Sequence, residues 1–394
     1  MSKTVPHAVP MSSPDLTDAE RQAVLAVLQT PNLSMGPQIT AFETAFSAYT
    51  GRRHAIGVNS GTAGLHLCVR AAGIGPGDLV LTTPFSFVAS SNALLFEQAV
   101  PVFVDVDPLT GNMDPQLTAQ AAHDLQEGGS AAQRWLPRKC PQPGAALKAI
   151  LGVDVFGQPA DWDAFQAVAN QYNLHLIEDS CEALGAEYKG RKAGTLAEMA
   201  VFAFYPNKQI TTGEGGLIVT TDDQAAGLMR ALRNQGRAPG DTWLSHTHLG
   251  YNYRLDELSA ALGVVQMSRL EELLVKREQV AEWYRLRLNK IAGVKAPCID
   301  KNTTRTSWFV YVIRVDPGVN REALAQRLAD RGIPVRPYFL PIHLQPYMVE
   351  RFGYQPGDFP VTEDLGRRGL ALPFSGVMTE EQVELVCRTL EDVL

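Results

Sequence analysis

The sequence is poor in the patterns that mark secreted, zinc-binding and nucleic-acid-binding proteins. Five cysteines among 394 residues are scattered, odd in number and without CxxC or zinc spacing, so we expect free thiols, a reducing compartment and no metal site. Lysine and arginine form no dense run, and the net charge is −7, which argues against nucleic-acid binding.

Long apolar runs are also missing. No segment is long enough to span a bilayer, and the N-terminus lacks the basic-then-apolar pattern of a secretion signal, so we expect a cytoplasmic protein without a membrane segment. The residues that are present are 45% hydrophobic and 20% charged, as in an ordinary globular protein. The length allows one large and one small domain.

Apolar strand patterns alternate with helical patterns over the first two thirds of the chain. This rhythm predicts an α/β domain with a mainly parallel sheet over residues 1–255. The predicted strands are 55–58, 79–82, 100–106, 149–155, 174–178, 199–204 and 217–220.

Three segments lie outside this alternating pattern: one precedes it, one interrupts it and one follows it. Residues 1–13 are predicted to form an extended arm, and residues 124–146, rich in Gly, Pro and Gln, a surface insertion. Residues 256–394 are predicted to form a long linking helix, from Asp256 to about Asn289, followed by a smaller C-terminal α+β domain.

A single lysine, Lys208, lies between an apolar strand and a Gly-rich turn. An amine at the edge of a buried sheet costs free energy unless it is paired or neutralised, and a neutral amine is a nucleophile towards carbonyls. Lys208 therefore has the setting of a Schiff-base lysine. Taken alone, a lysine in such a place is more often a solvated loop lysine.

Two further positions have residues that could bind a ligand at the end of a strand. Gly61 and Thr62 lie between a strand and a helix, and the free N–H groups of a helix start bind phosphate well, although a plain helix cap is the alternative. Asp179 ends an apolar strand, where ligands bind in open α/β sheets. A protonated pyridine nitrogen could balance its charge, and so could a structural salt bridge.

A phosphate cradle, an acid at a strand end and a lysine in a Gly-rich turn are the three anchors of pyridoxal phosphate. The chain closely resembles the DegT/DnrJ family of sugar aminotransferases, which are fold-type I pyridoxal-phosphate enzymes. The resemblance covers nearly the whole chain and rests on the segments 34–37, 42–43, 59–63, 155–159, 178–185, 201–216 and 250–255.

The resemblance implies a role for each anchor. Lys208 would form the Schiff base and carry the proton, and Asp179 would pair with the pyridine nitrogen. Gly61, Thr62 and Ala63 would bind the cofactor phosphate at the helix start.

The resemblance also implies contacts further from the lysine. Phe87 matches the aromatic residue that stacks on the cofactor ring, with core packing as the alternative. Asn252 matches a residue that reaches the phosphate in the neighbouring subunit, which implies a homodimer with shared active sites. Tyr338 and His343 match the loop that approaches the substrate, with a structural role as the alternative.

The chain departs from the family pattern at two positions. Many members have Gln or His at position 182, whose side chain donates to the phenolic oxygen of the cofactor, whereas an ionised Glu182 cannot donate. We therefore expect Glu182 to be protonated or turned away. Ala203 stands where relatives often have a serine that helps to hold the phosphate, so either Asn207 or a water takes its place or the affinity for the cofactor is weaker.

The family divides into several activities, and Lys208 favours one of them. Sugar 3-dehydratases of the family carry His at this position, so the lysine favours transamination. The resemblance implies transfer of an amino group from glutamate to a nucleotide-linked keto-sugar, such as a 4-keto-6-deoxyhexose. Alternatives are another ketone such as a keto-cyclitol, or a non-catalytic regulator. A dinucleotide-binding enzyme is disfavoured because GxGxxG is missing after the first strand.

Overall fold

A computed structural model describes residues 9–140, 145–238 and 240–394. The helices are α1 (Asp18–Leu28), α2 (Pro37–Thr50), α3 (Gly61–Ala71), α4 (Ala89–Phe96), α5 (Pro115–Glu127), α6 (Gly129–Gln133), α7 (Trp162–Tyr172), α8 (Asp223–Arg233), α9 (Glu257–Ser268), α10 (Leu270–Leu288), α11 (Arg321–Asp330), α12 (Pro346–Phe352), α13 (Pro360–Arg368) and α14 (Glu380–Val393). The strands are β1 (His54–Val58), β2 (Leu79–Thr82), β3 (Val100–Phe103), β4 (Leu147–Val153), β5 (His175–Asp179), β6 (Glu187–Tyr188), β7 (Arg191–Lys192), β8 (Met199–Ala203), β9 (Gly216–Thr220), β10 (Val294–Lys295), β11 (Thr303–Arg305), β12 (Tyr311–Val315), β13 (Arg336–Pro337) and β14 (Gly369–Leu372).

The central sheet has seven strands in the order β1-β9-β8-β5-β4-β2-β3. The pairs from β8 to β3 are parallel, and only β9 runs against its two neighbours. Strands β2, β3 and β9 are buried along their whole length, as expected when helices cover both faces of a sheet. The prediction of a mainly parallel central sheet between helices is confirmed.

The register of this sheet brings three strand ends to one edge. Val58 at the end of β1 pairs with Gly216, Gly216 pairs with Ala203 at the end of β8, and Asp179 at the end of β5 pairs with Val201. Helix α3 begins directly after β1, so its N-terminus lies at the same edge as Asp179. The segment that carries Lys208 leaves this edge from β8.

The C-terminal region contains a second sheet of four antiparallel strands in the order β10-β12-β14-β13. Its apolar face packs against α10, α11 and α14 in one core, which gives the expected α+β arrangement. Val9 is buried in the same core, and the Phe374 N–H donates to the Met11 carbonyl at 2.9 Å. The first described residues therefore pack against the last part of the chain. A three-stranded sheet, β11-β6-β7, was not predicted.

The predicted helix 256–289 is wrong in one respect, because Arg269 separates it into α9 and α10. The guanidinium of Arg269 leaves this junction to bind Asp15, Glu20 and Glu272, which fixes α1 across the break.

The predicted insertion 124–146 begins too early. Its first residues complete α5, and residues 129–133 form α6. Arg138 then pairs with Asp358 on a distant part of the chain. Residues 141–144 of this insertion, and residues 1–8 of the predicted arm, lie outside the described residues. None of the described helices has both the length and the apolar character that crossing a bilayer requires.

Candidate active site

The start of α3 forms a tight cradle against the sheet edge. Ser60 caps the helix, and its hydroxyl accepts the Ala63 N–H at 3.1 Å. A Cβ at Gly61 would lie 2.8 Å from the Ala203 Cβ, and one at Gly216 would lie 2.5 Å from the Ser60 carbonyl oxygen. Glycine is therefore required at both positions for the helix start to approach the strands. The free N–H groups of the first turn point towards the edge of the sheet.

Asp179 is a buried acid with few partners. Its side chain accepts the Ser90 hydroxyl at 2.8 Å and the Cys181 N–H at 3.2 Å, and the residue is 4% exposed. Within the described residues, no lysine, arginine or histidine forms an ion pair with it. A buried charge of this kind is costly until a cationic or N–H group meets it. Asp179 therefore has the capacity to bind a positively charged donor.

Lys208 and Glu182 face each other beside this acid. The Lys208 Nζ lies 3.9 Å from the Glu182 Oε1 and 3.8 Å from the centre of the Phe309 ring. The Glu182 Oε2 accepts the Phe156 N–H at 2.8 Å. Burial raises the pKa of Glu182, and the positive charge of Lys208 opposes that shift. The direction agrees with the expectation of a protonated Glu182, which stays a hypothesis.

Three of the other expected residues have informative surroundings. The Asn207 Oδ1 is buried and has no hydrogen-bond partner among the described residues, which is unusual for a native amide. The Tyr338 ring lies 6.0 Å from the Phe156 ring, and burial, followed by the charge of Glu182, raises the pKa of Tyr338 to about 12. Phe87 is 63% exposed, so core packing does not explain it.

His343 is not with this group. The residue is fully buried, its Nε2 lies 3.1 Å from the Glu363 Oε1, and its ring packs edge-on against Phe359 at 4.7 Å. These contacts support the structural alternative for His343, and its approach to the substrate stays a prediction. The imidazole is held there by Glu363 and Phe359, on the segment that follows α12.

Asn252 is exposed, and its backbone carbonyl accepts the Asn59 Nδ2 at 3.3 Å. Its two neighbours, Tyr251 and Tyr253, stack on each other with ring centres 4.9 Å apart. Among the described residues, the Asn252 side chain has no hydrogen bond to Asp179, Glu182 or Lys208, and its expected role in a second subunit stays a prediction.

The sequence profile of the DegT/DnrJ/EryC1/StrS aminotransferase family matches residues 14–391. The chain belongs to this family. GDP-perosamine synthase of Caulobacter vibrioides is 37% identical over 391 residues, with 98% of each chain covered. The spore coat polysaccharide biosynthesis protein SpsC of Bacillus subtilis is 33% identical over 401 residues, covering 98% of this chain and 97% of the relative.

A solved structure, that of DesV from S. venezuelae, superposes with a TM-score of 0.85 at 31% identity and covers 98% of both chains. The fold-type I architecture expected for the DegT/DnrJ family is thereby confirmed. The chain is an aminotransferase of a family whose members depend on pyridoxal phosphate.

The residues present fit that cofactor. The buried acid Asp179, which no cation pairs with in the described ranges, matches a pyridine N–H, and the glycine-lined helix start matches a phosphate group. The amine of Lys208 matches an aldehyde, and the unpaired Asn207 amide offers one more polar contact. An amide seen as an unpaired oxygen can also present its NH₂ after a flip.

Several members of the site were not found from the sequence. Ser90 binds Asp179 from 89 residues away, and Arg277 binds the Lys208 carbonyl from 69 residues away. Phe309 lies under the lysine amine. Each is an ordinary residue in its own segment, so only the tertiary fold brings it to the site. An arginine among the apolar positions of α10 is the one local signal that could have been followed.

Proposed function

We propose that this aminotransferase transfers an amino group from glutamate to a nucleotide-linked keto-sugar, with a nucleoside-diphosphate 4-keto-6-deoxyhexose as the acceptor. The observation that carries the proposal is the buried Asp179, which pairs with no cation among the described residues and whose charge acts on Glu182, the partner of Lys208. The similarity to a protein named GDP-perosamine synthase supports a sugar linked to a nucleoside diphosphate.

In this proposal the named residues divide the binding of pyridoxal phosphate among them. Asp179 keeps the ring nitrogen protonated, and Lys208 binds the aldehyde carbon. The phosphate lies at the start of α3 against Gly61, Thr62 and Ala63. The contacts furthest from the lysine are an aromatic face from Phe87, an amide from Asn207, a hydroxyl from Tyr338 and an amide from the partner subunit's Asn252.

When bound, the cofactor supplies an electron sink that makes the proton on the donor Cα removable. The protein would supply the base: the Lys208 amine would take that proton and deliver it two atoms further on, across the nitrogen, as the 1,3-shift of transamination requires. Phe309 at 3.8 Å fixes where the amine lies, and the buried Glu182 carboxyl faces it at 3.9 Å. A water-poor setting strengthens each of these contacts.

We further propose a homodimer with shared active sites. Asn252 is exposed, and the preceding loop presents Trp243, Leu244 and Leu249 with 77%, 85% and 83% of their surface exposed. Apolar side chains this exposed are typical of a protein interface. Sedimentation should give about twice the chain mass of 42.9 kDa. A monomeric mass for the loaded enzyme would contradict the proposal.

The division into residues 1–255 and 256–394 also stays a proposal. The separate core formed by α10, α11 and α14 with the C-terminal sheet supports it. Limited proteolysis should release a stable C-terminal fragment if this core is an independent unit, and cuts spread evenly through it would contradict the division.

The function is tested in two steps. Borohydride reduction of the loaded enzyme should leave a reduced adduct on the peptide with Lys208, and glutamate should shift the visible absorbance. A panel of nucleotide keto-sugars should then restore the spectrum. Lys208→Arg should abolish both signals, whereas Lys189→Arg, at an exposed lysine, should change neither.

Three results would contradict the proposal, each at a different level. An adduct elsewhere on the chain would overturn the assignment of Lys208. A loaded protein without any response to glutamate would indicate a regulator. Restoration by a keto-cyclitol, with no response to the nucleotide sugars, would replace the acceptor.

A further inference from the structure

Arg277 is a buried cation without an acid partner. It lies in α10, is 4% exposed, and forms no ion pair with a carboxylate in the described part of the chain. Burial lowers the pKa of Arg277 to about 10, which only the more distant charge of Asp15 opposes. A charge in such a place needs compensation from dipoles.

Four backbone carbonyls provide this compensation. One guanidinium nitrogen, Nη2, donates to the Lys208 carbonyl at 2.6 Å and to the Asn207 carbonyl at 3.1 Å. The other, Nη1, donates to the Trp308 carbonyl at 3.1 Å and to the Phe309 carbonyl at 3.3 Å. The planar fork of arginine therefore joins two segments that are about a hundred residues apart in sequence.

One of these segments carries Lys208 and the other carries Phe309, and the contact between their side chains determines where the lysine amine lies. Lys208 supplies the amine, and Phe309 supplies the ring whose centre lies 3.8 Å from the Nζ. A contact of this length depends on the two backbone segments being held at a constant distance from each other. Arg277 binds the backbone carbonyls of both Lys208 and Phe309. Its guanidinium therefore sets the distance between the two segments.

We propose that Arg277 is a positioning residue, which acts through the carbonyls of Lys208 and Phe309 to hold the lysine amine where the cofactor meets it. The inference rests on the proposed function in that Lys208 is taken as the cofactor lysine. Arg277 binds the backbone carbonyl of Lys208 rather than its amine, so its effect should appear in the placement of Lys208.

The chain offers a matched control for a purely structural role. Arg321 is also buried, and its Nη1 donates to the carbonyls of Gly366 and Gly369 at 3.3 Å and 3.0 Å. Both carbonyls belong to the C-terminal region, away from Lys208. Arg277→Lys and Arg321→Lys each replace a carbonyl-binding fork by a single ammonium, so each should lower thermal stability.

Two readouts separate positioning from general stability. Hydrogen exchange on the cofactor-free protein should show faster exchange at 205–210 and 308–310 in Arg277→Lys, and wild-type exchange there in Arg321→Lys. The rate of borohydride-trapped adduct formation at Lys208 should fall roughly tenfold in Arg277→Lys alone, since small displacements of a reacting group are costly.

A further comparison tests whether Arg277 acts on the lysine amine through Phe309. Phe309→Leu should slow adduct formation to a similar extent, and the double variant with Arg277→Lys should be little slower than either single variant, because both changes release the same contact. If Arg277→Lys does not fold, Arg277→Gln, which keeps two N–H donors without the charge, replaces it in both measurements.

The possible failures are distinguishable. Wild-type adduct rates and wild-type exchange in a folded Arg277 variant would overturn the positioning role, whatever its thermal stability. Fully additive effects of Arg277→Lys and Phe309→Leu would overturn the route through Phe309. An adduct that never forms on Lys208 in the wild type would instead refute the proposed function, while the exchange measurement would still test the hold of Arg277 on both segments.

Discussion

Strand β5 ends in two consecutive acids whose surroundings are opposite. Glu178 and Asp179 point to different faces of the sheet, as neighbours on a strand do. Glu178 accepts N–H groups from Gly194 and Leu196 and the hydroxyl of Ser180, so both of its oxygens are bound. Asp179 accepts one hydroxyl and one N–H, and no cation pairs with it among the described residues.

We call the side of the sheet to which Glu178 points the closed face, and the side to which Asp179 points the open face. The closed face contains a second buried acid, Asp154. The single Ser180 hydroxyl lies 2.8 Å from the Asp154 Oδ2 and 2.7 Å from the Glu178 Oε1, and one hydroxyl proton cannot serve both. One carboxyl must therefore carry a proton. In the described part of the chain the N–H donors to Asp154 bind its Oδ1 and none binds its Oδ2, which places the proton on Oδ2. Burial, followed by the charge of Glu178, raises the pKa of Asp154 well above its usual value.

The comparison shows that a buried acid by itself does not mark a functional site. The pair Asp154–Glu178 is more deeply buried than Asp179, yet its hydrogen bonds are complete within the chain. Asp179 has bonding capacity left over, and it lies at the edge where α3 begins. Unfilled capacity, rather than burial, separates a binding group from a structural one.

The largest effect should come from the open face. Asp179→Asn keeps the contacts with Ser90 and Cys181 but removes the charge that would hold a ring nitrogen protonated. We expect the transamination rate to fall roughly 10²- to 10³-fold, as when one electrostatic partner of a reacting centre is removed. Thermal unfolding of the cofactor-free protein should change little. Steady-state kinetics and calorimetry measure the two quantities.

Glu178→Gln is the matched control on the closed face. Its amide group would meet an N–H of Gly194 or Leu196 head-on, so we expect the free energy of unfolding to fall by about 1–3 kcal/mol. The activity of the folded fraction should be close to that of the wild type. If both variants lost activity equally, the distinction between the two faces would be unfounded.

The next effect concerns the proton on Asp154. Asp154→Ala leaves the donors of Ala160 and Trp162 without their acceptor, at a cost of about 1–3 kcal/mol in unfolding free energy. Asp154→Asn should cost much less, because its amide donates to Ser180 as the protonated acid does. Denaturant unfolding of both variants measures this order, and equal losses would contradict a protonated Asp154.

The same proton predicts a pH dependence. The pKa of Asp154 is raised in the folded chain, so from about pH 4 upward the folded state holds a proton that the unfolded state has released. The free energy of unfolding should therefore fall as pH rises towards the folded-state pKa. Asp154→Asn should flatten this part of the curve, and parallel curves for wild type and variant would show that another group is responsible.

The sequence was sufficient for the central sheet and for the anchors that lie on local motifs. Strand β2 has its predicted bounds, and the anchors Gly61, Asp179 and Lys208 follow strands that periodicity identifies. Strands buried on both faces are continuous apolar runs, and the turns after them carry the polar residues. Such local signals survive without any knowledge of the tertiary fold.

The rest depended on contacts between distant segments. Nothing near Ser90 distinguishes it from an ordinary helix serine until α4 is packed. The apolar neighbours of Arg277 along α10 mark it as unusual, but only the tertiary fold shows which carbonyls it binds. The break at Arg269 is set by its tertiary ion pairs, and the burial of His343 by Phe359 and Glu363. A family motif marks where a residue lies in the chain, but not which way its side chain turns.

The smallest effect should come from Glu182, which lies on the open face but is already bound by the Phe156 N–H. Burial raises the pKa of Glu182, so it should be neutral at low pH and ionise only as pH rises. Once ionised, it would stabilise a positive charge at the Lys208 nitrogen, 3.9 Å away. In a visible titration of the loaded enzyme, wild type and Glu182→Gln should therefore coincide at low pH. At higher pH the variant should lose its protonated form earlier, by less than about one pH unit. Superimposable curves over the whole range would remove Glu182 from the cofactor site and leave Asp179 as the acid that distinguishes the open face.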